Sequence, residues 1–171
     1  MSGAVARPGA VAFERAMAEW APRSVLSFVV RIDRKDIVRF AVATGATRAV
    51  HHEPAAARAA GFADVVAPPM FYVALRTSVF NLVPLDQLHP EGTPLRDAPP
   101  VPFTQAMAGE TTAELSRPFV AGDLVRCTRR VESYEQKAGR SGTLTFIRFE
   151  YRYADTAGEP FAVEHFTRIF R

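Results

Sequence analysis

Cys127 is the only cysteine in 171 residues. One thiol excludes an internal disulfide and a cysteine-built metal site, and it fits a reducing compartment such as the cytoplasm. Neither sign of charge dominates, since 21 Lys and Arg stand against 18 Asp and Glu. The only adjacent arginines are Arg129 and Arg130, and no basic stripe is interleaved with aromatics. Nucleic-acid binding is therefore not indicated. The scattered arginines either solvate the surface or attract an anionic ligand, such as a CoA phosphate or an acidic carrier protein. No stretch approaches the roughly 18 apolar residues that a membrane helix needs. Residues 1–9 also lack the apolar core of a signal peptide. These absences predict no membrane association and a cytoplasmic location. His51 and His52 are adjacent, so a helix cannot turn both to one metal, and no carboxylate–histidine set at metal spacing accompanies them. No metal and no cofactor is expected.

What is present is an ordinary globular composition. The chain is 48% hydrophobic and holds 13 Phe, enough for a sizeable core in one domain. We divide it into an N-terminal tail and short helix (1–22) and a single domain (23–171). Residues 1–9 are expected to be disordered. Residues 10–20 read as a short amphipathic helix ended by Pro22, and residues 25–32 as a β-branched strand. Ile37, Phe40, Ala41 and Thr44 fall at helical spacing, with Asp33 or Asp36 as cap and Gly45 as stop. Residues 53–60 form an Ala-rich helix ended by Gly61. Pro68 and Pro69 suit a helix start. Residues 70–82 are apolar on nearly every face, as in a buried helix. Residues 84–103 are Pro-rich, and a loop of that length often covers a binding site. From residue 110 the period changes to two. Strands are predicted over 111–120, 124–135, 143–154 and 160–171, with turns at 121–123, 137–142 and 155–158, as an antiparallel meander. The fold class predicted is α+β: a single domain with a long central helix wrapped by an antiparallel β-sheet.

Several short motifs, in order, carry a resemblance. Residues 45–53 read GATRAVHHE, residues 66–71 read VAPPMF, residues 116–123 read SRPFVAGD, residues 139–142 read GRSG, and the chain closes on HFTRIFR. They resemble the MaoC-like hydratase/dehydratase family, in the N-terminal-type branch related to the fatty-acid-synthase-like dehydratase domain. The resemblance runs from about residue 25 to residue 171. It implies a hot-dog fold, pairing of two such domains, and an acyl thioester ligand on CoA or acyl carrier protein. The family adds or removes water across the α,β-bond of that thioester. Its Asp and His, in the pattern G-D-x-N-P-x-H-x-D, act as acid and base or position water. A backbone N–H at the start of the central helix meets the thioester oxygen.

On this chain His51 matches the family His and Glu53 the trailing acid. Ala46 stands where the leading Asp belongs, Arg48 where the Asn does and Ala49 where the Pro does. Alanine cannot trade a proton or orient water. Pro69 stands where another form of the motif has its oxyanion Gly, and proline has no N–H to offer. Pro-Pro is usual in this branch, so Ala46 is the more telling departure. The candidate catalytic residues are His51, Glu53 and, as a replacement acid, Asp64. Pro69, Met70 and Tyr72 are the candidate substrate contacts. The bland alternatives are a loop histidine at His51, a helix-start carboxylate at Glu53, core packing at Tyr72 and a surface ion pair at Arg76. Thr77 and Ser78 either bond a ligand or their own backbone. His89, His165 and Cys127 are read as structural.

The function implied is a hydratase/dehydratase acting on 2-enoyl or 3-hydroxyacyl thioesters. The chain would act in a homodimer, or as the degenerate half of a heteromer with a catalytic MaoC-like subunit. Two other readings are a non-catalytic acyl-thioester or hydrophobic-ligand binder, and a repurposed secondary-metabolism enzyme such as a thioesterase or a cyclase. Thioester hydrolysis would call for an acid on the central helix, and none lies between Met70 and Pro84.

Overall fold

A computed structural model describes residues 8–77, 83–140 and 142–171. Helix α1 (Pro8–Trp20) leads through a 3-10 turn into β1 (Leu26–Arg31) and α2 (Arg34–Thr44). Helix α3 (Pro54–Ala59) and then α4 (Tyr72–Arg76) follow. The chain closes with β2 (Ala106–Leu115), β3 (Leu124–Gly139), β4 (Gly142–Ala154) and β5 (Pro160–Phe170). The five strands form one sheet in the order β1-β3-β4-β5-β2, antiparallel throughout.

The inward face follows from strand period two. Val125, Cys127 and Arg129 on β3, Ile147, Phe149, Tyr151 and Tyr153 on β4, and Ala162, Glu164, Phe166 and Phe170 on β5 are all buried. Phe71, Tyr72 and Leu75 of the central helical stretch join this cluster, and Phe13 and Met17 bring α1 into it. Phe119 meets Phe71, Tyr153 and Phe161 at ring separations of 5.0–6.1 Å, so one aromatic ties the helix start to two strands.

The α2 boundaries fall where the sequence signals place them. Asp33 is the N-cap residue, although its side chain makes no cap bond. Gly45 takes the left-handed conformation (φ 70°), and the amide of Ala46 returns to the Ala41 carbonyl at 2.9 Å. Four other expectations need correction. Helix α1 begins at Pro8, two residues before the predicted start, because proline is tolerated in a first turn. The predicted helix over 70–82 opens as a 3-10 turn (Pro69–Phe71) before the α-helix Tyr72–Arg76. The stretch 78–82 lies outside the described residues. The Pro-rich segment holds two 3-10 turns, Leu85–Gln87 and Leu95–Asp97, and a Leu88–Pro94 bridge.

The fourth correction concerns topology. Strand β2 ends at Leu115 and pairs with β5, so residues 116–123 are a crossover and not one arm of a hairpin. That crossover runs beside residues 65–67. Val66 bridges Val120, Ala67 N–H donates to the Phe119 carbonyl (2.8 Å), and Ala121 N–H donates to the Val65 carbonyl (3.0 Å). Gly122, with φ 99°, makes the turn into β3 and donates to the Ile32 carbonyl at 2.8 Å.

Candidate active site

The site begins with a short 3-10 helix, Ala49–His51, between α2 and α3. His51 is buried, with Nδ1 2.7 Å from the Val66 carbonyl oxygen. A carbonyl only accepts, so Nδ1 carries a proton and donates it to Val66. The Val66 amide returns to the Val50 carbonyl at 3.0 Å. His51 is thereby clamped to the segment that runs straight into Pro68 and Pro69. His52 is held by the same logic, with Nε2 2.6 Å from the Ala46 carbonyl.

The other predicted residues separate. Glu53 is exposed at the N-cap of α3 and makes no side-chain cap bond. Asp64 is engaged by Arg34, which donates from Nε to Oδ1 at 3.0 Å and from its second nitrogen to Oδ2. The Val65 amide also donates to Asp64 Oδ1. The Arg34 hydrogen bond, with that amide, holds the carboxyl below its ordinary range. A carboxylate kept ionised this way holds the loop and has no proton to deliver. Pro69 lines a cleft of about 270 Å³ with Ala67, Pro68, Arg117 and Phe119 among its walls. Met70 is half exposed, while Tyr72 is buried with its hydroxyl 3.3 Å from Met70 Sδ. Burial raises the Tyr72 pKa.

Pro68 and Pro69 carry no N–H, so the first amide this turn can offer is that of Met70. Helix α4 is only five residues long, which leaves little dipole to reinforce it. Thr77 Oγ1 bonds its own helix at the Val73 carbonyl (2.8 Å), and Ser78 lies outside the described residues.

Against this geometry stand the comparisons with known proteins. The family model "FAS1-like, dehydratase domain region" matches residues 24–164. The chain belongs to this family. A UPF0336 protein of Streptomyces avermitilis is 32% identical over 129 residues, covering 75% of this chain and 76% of that one. A UPF0336 protein of Clavibacter michiganensis is 36% identical over 110 residues, covering 64% and 67%. Among solved structures, the ChsH1-ChsH2 complex of Mycobacterium tuberculosis aligns with a TM-score of 0.68 at 18% identity, over 94% of this chain and 96% of that one. The HadBC (3R-hydroxyacyl-ACP dehydratase) complex of the same organism aligns at 0.65 and 18%, over 85% and 93%. The R-hydratase PhaJ1 of Pseudomonas aeruginosa aligns at 0.60 and 19%, over 85% and 78%. The fold is the hot-dog fold of MaoC-like dehydratases.

Several charged residues of this dehydratase-family domain escape a reading based on loops and motifs. Arg76, expected at the surface, reaches inward: its Nε lies 2.9 Å from Glu164 Oε1, and the carboxylate is fully buried. Tyr153 donates its hydroxyl to Glu164 Oε2 at 2.9 Å. Burial raises the Glu164 pKa, opposed in part by Arg76 and Tyr153. Arg129 is buried and donates to Asp97 Oδ1 at 2.6 Å and to the Ser24 carbonyl. A signal was present. Arg129, Glu164 and Arg168 occupy inward positions of the period-two pattern, where apolar residues are the rule.

Proposed function

We propose that this chain is one half of a hot-dog hydratase/dehydratase that acts on 2-enoyl or 3-hydroxyacyl thioesters of CoA or acyl carrier protein. The observation that carries this reading is the state of the catalytic loop. His51 is retained and locked to Val66, while its family acid is Ala46 and the turn beside it is Pro68-Pro69. Asp64 is committed to Arg34 and Glu53 stands exposed, so neither supplies the missing acid. Absence of one oxyanion donor alone costs about 10²–10³ in rate. The chain therefore shapes the acyl site, and a catalytic MaoC-like subunit supplies Asp and His. Two observations support a partner of that kind. Among the described residues strand β2 pairs only with β5, which leaves its other edge for a second domain. The ChsH1-ChsH2 and HadBC structures are both described as complexes.

A hydration assay with crotonyl-CoA and a longer trans-2-enoyl-CoA tests this. The isolated chain is expected to show no turnover with either substrate, and His51→Ala is expected to behave as the parent does. Turnover by the chain alone that disappears in His51→Ala would overturn the degenerate-half reading.

A further inference from the structure

At the far end of the central helical stretch from Pro69 lies a second cavity, of about 460 Å³. The two cavities share no lining residue, with Pro69 in the first and Arg76 and Thr77 in the second. This volume falls in the range of ligand sites, roughly 300–1,000 Å³. Three arginines line it, Arg76, Arg129 and Arg168, together with Met107, Tyr151 and Phe166. Its walls are mixed, with Leu88, Met107, Tyr151 and Phe166 set beside the arginines and Asp97.

The charge balance follows from the contacts. Arg76 faces Glu164 at 2.9 Å, and Arg129 faces Asp97 at 2.6 Å. Arg96 also reaches Asp97, at 3.7 Å. Arg168 is half-buried, donates to Thr93 Oγ1 at 2.7 Å and lies over the Phe170 ring at 4.9 Å. Among the described residues it pairs with no carboxylate within 4 Å, and residues 1–7, 78–82 and 141 include no Asp or Glu. The nearby Glu91 accepts from the Thr93 amide at 2.9 Å and faces His89 Nδ1 at 3.7 Å. The Nε of Arg129 also finds no hydrogen-bond partner among the described residues. Of the three arginines that line the cavity, Arg76 and Arg129 thus have a carboxylate in direct contact, while Arg168 has Glu91 and Asp97 only at longer range. A guanidinium without a carboxylate in direct contact, in such a place, favours one anionic group with two acceptor oxygens.

We propose that this cavity binds the carboxylate-bearing end of an aliphatic ligand, with Arg168 as its anion partner, and that the acyl groups this protein accepts end in a carboxylate. The second half of that statement rests on the thioester reading above. Met107, Tyr151 and Phe166 enclose the chain next to the carboxylate, and Arg168 donates to its oxygens. Arg168 is then a specificity residue and not a catalytic one, because it lines the cavity at the Arg76–Thr77 end of the central stretch, while the segment clamped to His51 runs into Pro68 and Pro69 at the other end.

The test uses the full chain with two simple probes, decanoate and 1-decanol, titrated by calorimetry. Wild type is expected to bind decanoate saturably. In Arg168→Gln, the preference for decanoate over decanol is expected to fall about tenfold or more, as for loss of a charge-assisted hydrogen bond. An unchanged preference, or no saturable decanoate binding to wild type, overturns the proposal. A crystal structure of wild type grown with decanoate decides the same point without a variant. The carboxylate is expected at the Arg168 guanidinium, and a carboxylate elsewhere refutes the assignment. Neither probe carries a thioester. Decanoate binding by a chain whose own His51-dependent hydration is detected would sink only the degenerate-half reading, and an inert chain that does not bind decanoate would sink only this one.

Discussion

Removing the Asp97 carboxylate should unfold this protein more readily than any surface change. Asp97 sits in the Pro-rich segment and takes a 2.6 Å hydrogen bond from Arg129, whose side chain is 6% exposed. Arg129 also holds the Ser24 carbonyl, so one guanidinium joins β3, the turn after α1 and the Pro-rich segment. Asp97→Ala leaves that cation buried, with only the carbonyl as partner. Breaking one side of a buried pair costs about 3–5 kcal/mol. Arg96, at 3.7 Å from Asp97, repels the same cation once the carboxylate is gone. We expect a loss of about 3 kcal/mol, a large fraction of the 5–15 kcal/mol typical of a domain. With a urea slope of about 2–3 kcal/mol/M, the unfolding midpoint should fall by about 1–1.5 M. Arg129→Met keeps a stem against Phe149, which lies 5.1 Å from the guanidinium, and removes the charge. The double variant Asp97→Ala/Arg129→Met should therefore be more stable than Asp97→Ala alone. A midpoint shift below about 0.3 M for Asp97→Ala, or simple additivity in the double variant, would refute the argument.

Two further outcomes follow from the outer face and the core. Arg130 and Arg152 both bond the Glu150 carboxylate and lower its pKa from 4.5 to about 2. A depressed carboxyl stabilises the fold above its unfolded pKa and loses that contribution as pH falls from about 4.5 through 2. The two guanidinium groups are more than half exposed, so screening holds the effect to about 1–2 kcal/mol. Glu150→Gln should cost that amount in urea unfolding at pH 7 and almost nothing near pH 2, and a pH-independent cost would count against the pairing. Burial pushes the Cys127 thiol up to about 12. Iodoacetamide at pH 8 should label it only as the chain unfolds, so fast labelling in native buffer would show that β3 opens locally.

Much of the architecture is legible in local chemistry. Asp33, Gly45 and Gly61 punctuate α2 and α3 because caps and left-handed stops are decided within a few residues. The period-two run after residue 110 marks the strands because alternation reports one buried face. The VAPPMF and SRPFVAGD motifs point to the family, and the structure brings them together at one cleft. Position alone did not distinguish the predicted site residues. Spacing shows that Asp64 is near the turn, but not that Arg34, 30 residues away, neutralises it.

What the sequence by itself determined is the hot-dog class and the strand faces, since each depends on the identity of a residue or its nearest neighbours. Tertiary structure alone decided that β2 pairs with β5 and not with β3, because alternation sets a face and carries no information about a partner. It alone decided that Arg76 and Arg129 find buried carboxylates while Arg168, among the described residues, has none within 4 Å. Charge balance inside a cavity depends on which distant strands and loops converge there, and no local pattern encodes that.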